Sequence, residues 1–215
     1  MTANRSTQIR ELIGRTAVIP VLAIDDVAHA VPLARALCDG GLKLLEITLR
    51  TPAALPSIAA IAAALPEVVV GAGTVRSASD AARASEAGAR FAVSPGYTAA
   101  LGNACVNLGL PCLPGVATAS EVMAAFDDGY DVMKFFPAET AGGLSMLNAL
   151  AGPFPDVAFC PTGGINAKNA LAYLARTNVL CVGGSWLAPR AEVADRNWAK
   201  VTELAADAAR LKRSG

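Results

Sequence analysis

The amino-acid sequence predicts an α/β fold, a single (β/α)8 barrel of the TIM type with a short N-terminal helix, over residues 1–215. Eight short apolar runs alternate with helix-like segments at a spacing of about 20 to 26 residues, which is the pattern of repeated βα units. The runs are too apolar to have one wet face, as expected for parallel strands covered by helices. No linker-like segment separates the units, so we expect one domain. A doubly wound open sheet is the competing fold.

Each predicted strand is a short apolar run that ends near a glycine, a proline or a polar residue, the usual boundaries of buried strands. In chain order the predicted strands cover residues 17–22, 43–49, 68–73, 90–93, 111–114, 131–136, 157–160 and 179–182. Eight strands of this kind are the number that a closed barrel of βα units requires.

The predicted helices begin at residues that favour helix N-termini. Ser77 with Asp80, and Thr118 with Glu121, have the three-residue spacing of a capping box, and Asn166 caps the helix that follows the seventh strand. The other predicted helices cover residues 6–12, 25–37, 52–65, 98–108, 144–150 and 198–212.

Composition excludes several classes of partner. Eighteen basic residues balance eighteen acidic ones, so we expect no nucleic acid and no membrane surface to be held by bulk charge. No apolar run reaches the length of a transmembrane helix, and the N-terminal residues show no signal-peptide core. Five scattered cysteines without a Cys-x-x-Cys pair indicate reduced core thiols. We therefore predict a cytoplasmic protein.

Polar residues converge on one mouth of the predicted barrel. Alternate residues of a barrel strand point into the lumen, and the chemistry of such barrels lies at the C-terminal strand ends. On the second strand this rule places Glu46, Thr48 and Arg50 in one inward row with Leu44. The inward rows predicted for strands three, six, seven and eight are Val70, Ala72, Thr74; Val132, Lys134, Phe136; Cys160, Thr162; and Cys181, Gly183, Ser185.

Lys134 is the unusual member of this mouth, because it interrupts the apolar run 131–136. Burying an unpaired ammonium group is costly, and proteins often avoid the cost by lowering the lysine pKa until the amine is neutral. A neutral amine attacks carbonyl carbons, so the position predicts Schiff-base chemistry. The alternative is a strand-end lysine whose head group extends to solvent. The remaining lysines open a strand or lie on predicted helices, which leaves Lys134 as the central amine.

Glu46 is the candidate for proton transfer. The single histidine, His29, falls in a predicted helix away from the strand ends, so a carboxylate must take this role. A carboxylate at an inward position among leucine and isoleucine is expected to have a raised pKa, suited to proton shuttling. The alternative is a buried glutamate held only as the partner of Lys134 or Arg50.

The other polar residues of the mouth predict a ligand with two anionic ends. Arg50 and Thr74 supply a forked cation and a hydroxyl group, which suit a carboxylate. The pairs Gly163-Gly164 and Gly184-Ser185 follow the last two strands, where barrels of this type bind phosphate through backbone N–H groups beside helix starts. Pro95 follows the fourth strand and is interpreted as a turn-shaping residue.

Together these segments resemble the 2-keto-3-deoxy-6-phosphogluconate (KDPG) and 4-hydroxy-2-oxoglutarate aldolase family, the class I aldolases of the Entner–Doudoroff pathway. The resemblance covers nearly the whole chain. It is carried by LEITLRT at 45–51, VGAGTV at 70–75, SPG at 94–96, KFFPAE at 134–139, FCPTGGI at 159–165 and GGSWL at 183–187.

The resemblance implies a role for each site residue. Lys134 would form the Schiff base and Glu46 would shuttle protons. The remaining implied roles are Arg50 and Thr74 on the pyruvate carboxylate, aided by Thr162 and Pro95; Gly163, Gly164, Gly184 and Ser185 on the phosphate; and Phe136 beside the Schiff base. The resemblance also implies a metal-free enzyme without a cofactor, a phosphorylated 2-keto acid as the small-molecule substrate, and a homotrimer.

Four other functions remain open from the residues. A metal-dependent pyruvate aldolase would need carboxylate or histidine ligands at strand ends, where Glu46 stands alone. A phosphosugar isomerase or synthase would explain the glycine loops and leave Lys134 without a role. A non-catalytic phosphometabolite-binding barrel would bind ligand without turnover. A 2-dehydro-3-deoxy-6-phosphogalactonate aldolase would differ only in the configuration of its substrate at one carbon.

Overall fold

Parallel strands arranged as a barrel form the centre of the protein, whose computed structural model describes residues 4–212. Two of the strand segments, β5 and β6, are the halves of one barrel strand interrupted at Pro114. The strands are β1 Val18–Leu22, β2 Leu44–Thr48, β3 Val69–Gly73, β4 Ala92–Val93, β5 Cys112–Leu113, β6 Gly115–Val116, β7 Val132–Phe135, β8 Ala158–Pro161 and β9 Val182–Gly184.

The strand pairing accounts for eight barrel positions. Six strands pair in the order β5-β4-β3-β2-β1-β9, and three pair in the order β6-β7-β8. Parallel bridges from Phe159 to Val179 and from Thr162 to Gly183 connect β8 with the segment of β9. The chain itself connects β5 with β6 through Pro114. The prediction of a (β/α)8 barrel behind a short N-terminal helix is therefore confirmed.

Helices cover the outside of the strands. A 3-10 helix, η1, spans Val27–His29. The α-helices are α1 Thr7–Ile13, α2 Ala30–Asp39, α3 Ala54–Ala64, α4 Ala78–Glu86, α5 Ala99–Asn107, α6 Ala119–Asp127, α7 Gly143–Ala151, α8 Ala170–Leu174, α9 Arg190–Ala194 and α10 Trp198–Ala209. No helix within residues 4–212 is long and apolar enough to cross a membrane.

Two apolar cores lie on the two sides of the strands. The larger core fills the layer between strands and helices, and includes Leu45 and Ile47 of β2. The smaller core fills the lumen and includes Leu44 of the same strand. Alternate residues of β2 therefore enter different cores, which is why Glu46, two residues after Leu44, faces the lumen.

The helix α1 closes the N-terminal end of the lumen. Ile9 and Ile13 of this helix belong to the lumen core and are fully buried. The hydroxyl oxygen of the buried Ser6 accepts hydrogen bonds from the backbone N–H groups of Asp131 and Val132, at 3.0 and 3.1 Å. Ser6 therefore fixes α1 to the strand that carries Lys134, whereas the sequence suggests for it only the role of a helix cap.

Several predicted boundaries shift in the structure. The regular part of the eighth strand begins at Val182, with only an isolated bridge at Val179. The last helix ends at Ala209, and the short helix α9 was not predicted. The capping box of Thr118 and Glu121 is confirmed. Ser77 also accepts from the Asp80 N–H as predicted, but the Asp80 carboxylate accepts from the Arg76 N–H instead of closing the box. The N-cap of α8 is Asn169 rather than Asn166.

Candidate active site

Lys134 and Glu46 meet inside the barrel near the C-terminal ends of β7 and β2. The Lys134 Nζ lies 3.5 Å from the Glu46 Oε1, and their side chains are 7% and 3% exposed. Neither group has the solvent that would compensate a lone charge, so each depends on the other. The structure thus places the predicted amine beside the predicted carboxylate. The separation exceeds that of a direct hydrogen bond, and the buried Glu46 Oε1 has no hydrogen-bond partner within the described residues, so proton transfer would need a closer approach or one bridging water.

Gly73 creates the space that Glu46 occupies. A Cβ atom at Gly73 would lie 2.1 Å from the Glu46 Oε1, so the carboxylate rests directly on the glycine backbone of the adjacent strand. Gly71, two residues earlier, makes room in the same way for the ring of Phe91, which belongs to the lumen core. These contacts show that the glycines of β3 face the lumen.

The predicted inward row of β3 is therefore wrong. Val70 and Ala72 belong to the outer core, not to the lumen. The physical reason is that glycine has no side chain and carries no hydrophobic signal, so the alternation of this strand was assigned to the wrong residues. Thr74, which follows Gly73, has a φ of +59°, so its backbone departs from the strand geometry.

Phe136 covers the Lys134 amine. The Lys134 Nζ lies 4.9 Å from the centre of the Phe136 ring, within the range of a cation–π contact. The same ring lies close to Gly163, where an added Cβ would sit 3.4 Å from its Cδ2. Phe136 therefore lies between the amine and the first predicted phosphate-binding glycine. The peptide bond from Phe136 to Pro137 is cis.

Thr162 directly follows β8, the strand next to that of Lys134, and a second space-making glycine lies beside it. β8 pairs with β7 so that Cys160 is the partner of Lys134, and Thr162 follows two residues later on the same row. Its hydroxyl group donates to the Cys160 carbonyl oxygen at 3.4 Å. A Cβ at Gly183 would lie 2.3 Å from the Thr162 Oγ1. Gly183, which the sequence placed only in an inward row, therefore sets the position of this hydroxyl group.

Arg50 lies at the rim of the mouth, where it is tethered through its own strand. Its Nε donates to the Thr48 hydroxyl oxygen at 3.0 Å, and that hydroxyl group donates to the Leu22 carbonyl oxygen at 2.8 Å. Arg50 and Ser185 both line a cavity of about 790 Å³. Within residues 4–212 this Nε bond is the one hydrogen bond of the guanidinium group, which leaves its terminal nitrogens available for an anionic ligand.

The loop Gly163-Gly164 has the conformation and the unused donors of an anion-binding turn. The φ angles are +101° at Gly163 and +80° at Gly164, a region that favours glycine. Within the described part of the chain, neither N–H group donates a hydrogen bond. The expectation that the glycine pairs stand beside helix starts is wrong, since α8 and α9 begin only at Ala170 and Arg190. Phosphate binding at this loop would depend on its own N–H groups.

Pro95 follows the C-terminal end of β4, and Gly184 is the last residue of β9. The backbone of Ser94-Pro95 approaches Gly115 so closely that a Cβ there would lie 2.4 Å from the Pro95 carbonyl carbon. Gly115 is in turn the strand partner of Lys134. Gly184 makes room for the Trp186 ring, which a Cβ would approach to 1.7 Å.

Three basic residues without a predicted catalytic role, Lys43, Lys168 and His29, have other surroundings. Lys43 and Lys168 are exposed, and Lys168 lies in a turn before α8 rather than on a helix. His29 is half-buried, accepts a hydrogen bond from the Arg196 Nε at 3.3 Å and packs edge-on against Trp198. Across residues 4–212 no cluster of three or more histidine, cysteine, aspartate or glutamate side chains could hold a metal ion.

Comparison with known proteins identifies the family. A family model described as KDPG and KHG aldolase matches residues 9–204. The chain belongs to this family. Its curated relatives include the 2-dehydro-3-deoxy-phosphogluconate aldolase of Pseudoalteromonas atlantica, which is 50% identical over 97% of each chain. The KHG/KDPG aldolase of Escherichia coli is 46% identical and covers 95% of this chain and 96% of its own.

A solved structure connects the family to a covalent intermediate. The KDPG aldolase of Legionella pneumophila, with pyruvate captured at low pH as a covalent carbinolamine, superposes with a TM-score of 0.92. It is 45% identical, and the match covers 94% of this chain and 98% of that chain. The family resemblance predicted from the motifs is thereby confirmed, together with the aldolase class of the enzyme.

Two features of the site were not found from the sequence. One is the pair of space-making glycines, Gly73 and Gly183, for which a glycine within a strand was the available signal. The other is a hydrogen bond from the Tyr173 hydroxyl group to the Glu139 carboxylate, next to Gly164. Glu139 was noted only as the end of a motif, and Tyr173 lies on the following βα unit.

Proposed function

We propose that this protein is a class I aldolase of the Entner–Doudoroff pathway, which cleaves KDPG to pyruvate and glyceraldehyde 3-phosphate through a Schiff base on Lys134. The observation that carries the proposal is the buried contact of 3.5 Å between the Lys134 Nζ and the Glu46 Oε1. A buried amine beside a buried carboxylate can lose its proton to that carboxylate and become a nucleophile.

The first half of the reaction forms the imine. The Lys134 amine attacks the C2 ketone carbon of the substrate, and the C2 oxygen takes up a proton to give a carbinolamine. Glu46, directly or through water, supplies the proton with which this hydroxyl group leaves as water. The product is a protonated imine, which withdraws electrons from the neighbouring C3–C4 bond.

The second half breaks the carbon–carbon bond. Glu46 takes the proton of the C4 hydroxyl group, the C3–C4 electron pair moves to the imine as an enamine, and glyceraldehyde 3-phosphate departs. The enamine is then protonated at C3 and hydrolysed, which releases pyruvate and regenerates the free amine. Phe136, 4.9 Å from the Nζ on one side, restricts water at this centre.

The rest of the mouth fits the two anionic ends of the substrate. The forked Arg50 guanidinium group, aided by Thr74, Thr162 and Pro95, would bind the pyruvate carboxylate. At the other end, Gly163, Gly164, Gly184 and Ser185 would bind the phosphate. The two unpaired N–H groups of the Gly163-Gly164 loop support this assignment.

The substrate range extends to 4-hydroxy-2-oxoglutarate, which is cleaved to pyruvate and glyoxylate. The name of the E. coli relative includes both activities, and the family model has the same two substrates in its description. Cleavage of 2-dehydro-3-deoxy-6-phosphogalactonate is the alternative main activity, since the contacts to the reacting ketone would be the same for either epimer.

A homotrimer in the cytoplasm is part of the proposal. Met123 and Phe126 of α6 are 57% and 44% exposed, and apolar side chains of this size on neighbouring turns suit a subunit contact. All five cysteines are within the described residues and form no disulfide, as expected in a reducing compartment. Light scattering after size exclusion and cell fractionation would test these two points.

Release of pyruvate from three substrates tests the function. We expect wild-type protein to cleave KDPG most efficiently and 4-hydroxy-2-oxoglutarate more slowly, and Lys134→Met to cleave neither. Preference for the galactonate epimer would favour the alternative aldolase. Binding of the phosphorylated substrates without pyruvate release would make the protein a non-catalytic binding barrel and refute the proposal.

A further inference from the structure

We infer that Glu139, held by Tyr173, is a positioning residue that shapes the Gly163-Gly164 loop for the phosphate group of the substrate. This inference rests on the proposed function, because it assigns the loop to phosphate. It adds a pair of residues, of which Glu139 contacts the loop and Tyr173 holds Glu139. The pair would control affinity for the phosphorylated substrate without taking part in the chemistry at Lys134.

Backbone hydrogen bonds join the segment of Glu139 to the glycine loop. Beyond the ends of β7 and β8, the Ala138 N–H donates to the Thr162 carbonyl oxygen at 2.8 Å, and the Glu139 N–H donates to the Gly163 carbonyl oxygen at 3.1 Å. The chain that leaves Lys134 therefore runs beside the glycine loop and fixes its carbonyl groups. The loop N–H groups are left to point elsewhere.

The Glu139 side chain lies against the loop itself. A Cβ at Gly164 would lie 2.5 Å from the Glu139 Cγ and 2.7 Å from its Cβ. Only a glycine at position 164 can take both the φ of +80° and this close approach. The methylene groups of Glu139 therefore form one wall of the turn.

Tyr173 fixes the carboxylate end of the same side chain. Its hydroxyl group donates to the Glu139 Oε1, and its ring is buried in the outer core on α8. Burial first, and then the hydrogen bond to Glu139, raises the pKa of Tyr173 well above its ordinary value, so the hydroxyl group stays a donor at neutral pH. The donor also satisfies the negative charge of the carboxylate.

The negative charge of the Glu139 carboxylate is the reason why Tyr173 must hold it. A carboxylate beside a phosphate-binding turn repels the phosphate unless it is held in place and its charge is partly satisfied. Loss of the Tyr173 hydroxyl group would free a carboxylate next to Gly164 and loosen the turn. Both effects weaken phosphate binding, and neither changes the distance between Lys134 and Glu46.

The test compares two binding events on one enzyme. The KM for KDPG reports binding that includes the phosphate, whereas half-saturation by pyruvate in borohydride trapping of Lys134 reports binding without it. For Tyr173→Phe we expect the KM for KDPG to rise about tenfold, the effect of about 1.4 kcal/mol, with kcat within a factor of two. Pyruvate half-saturation should stay at the wild-type value.

Further variants separate positioning from simple loss of stability. Glu139→Gln keeps the wall and an acceptor for Tyr173 and removes the negative charge, so its KM for KDPG should be no higher than that of wild type. Glu139→Ala should raise the KM for KDPG as Tyr173→Phe does, because it removes the wall. Tyr97→Phe is the matched control, since Tyr97 also donates to a carboxylate, that of Asp128, but packs beside α5. It should change neither constant.

The outcomes are distinguishable from failure of the proposed function. If wild-type protein shows neither KDPG cleavage nor pyruvate trapping, the function itself is wrong. If wild-type protein does both, and Tyr173→Phe and Glu139→Ala fold yet leave the KM for KDPG unchanged, the inference is overturned. An equal rise in KM for KDPG and in pyruvate half-saturation would also overturn it.

Discussion

Substitution of Gly73 by alanine tests how closely the reaction depends on the position of Glu46. The added Cβ would lie 2.1 Å from the Glu46 Oε1 and 2.7 Å from both its Cδ and its Cγ. Real Cβ contacts are not shorter than 3.0 Å, so the carboxylate must move by at least 0.9 Å, the difference between these two distances. β3 is paired on both sides and cannot easily yield.

The expected loss follows from this displacement. A misplacement of about 1 Å in a catalytic constellation can cost about 100-fold in rate. That factor corresponds to about 2.7 kcal/mol of transition-state stabilisation, at 1.36 kcal/mol for each factor of ten. We therefore expect kcat/KM for KDPG cleavage by Gly73→Ala to fall about 100-fold, because Glu46 would no longer reach the protons that we propose it transfers.

Steady-state pyruvate release measures this effect. Gly152→Ala is the matched control, since Gly152 is exposed and a Cβ there meets no atom within 4 Å. Circular dichroism and thermal unfolding would establish that both variants are folded. A folded Gly73→Ala protein that keeps more than half of the wild-type kcat/KM would refute the assigned role of Glu46 or its dependence on Gly73.

Three further predictions concern other contacts. Ser6→Ala leaves two buried N–H groups without their acceptor, and should lower the free energy of unfolding by about 2 kcal/mol in urea titrations; an unchanged midpoint would contradict it. Burial acts to raise the pKa of Glu121, but N–H donors at its helix start outweigh it and lower this pKa below 4.5. The stabilisation by Glu121 is therefore present above pH 4.5 and lost as pH falls through the lower folded pKa, so Glu121→Gln should reduce the acid dependence of unfolding. Arg50→Lys loses the forked guanidinium group and its hydrogen bond to Thr48. The pyruvate concentration that half-saturates borohydride trapping should therefore rise about tenfold. An unchanged concentration would count against carboxylate binding by Arg50.

Much of the site followed from strand alternation. The row of Glu46 could be predicted because Leu44, Leu45 and Ile47 carry side chains whose burial must alternate between two cores. The same rule placed Lys134 beside Glu46, since β7 starts with the lumen residue Val132. Where every residue of a strand has a side chain of clear polarity, the alternation of polar and apolar side chains shows which residues face the lumen and can meet there.

The rule failed where side chains were absent or where loops determine the contact. β3 contains Gly71 and Gly73, which leave no hydrophobic signal although they face the lumen. The contact of Glu139 with Tyr173 spans 34 residues and depends on the path of the chain beyond β7 and on the position of α8. Hydrophobic periodicity carries no information on such paths. The contact between Glu139 and Tyr173 could therefore be found only from the structure.

The most direct measurement of the central claim is the identity of the residue that binds pyruvate covalently. Protein incubated with pyruvate and borohydride would be digested, and its peptides analysed by mass spectrometry. We predict one reduced pyruvate, attached to Lys134, and none in Lys134→Met or in wild-type protein reduced without pyruvate. An adduct on another lysine, or KDPG cleavage by Lys134→Met at a rate near that of the wild type, would contradict the assignment of Lys134 as the Schiff-base residue.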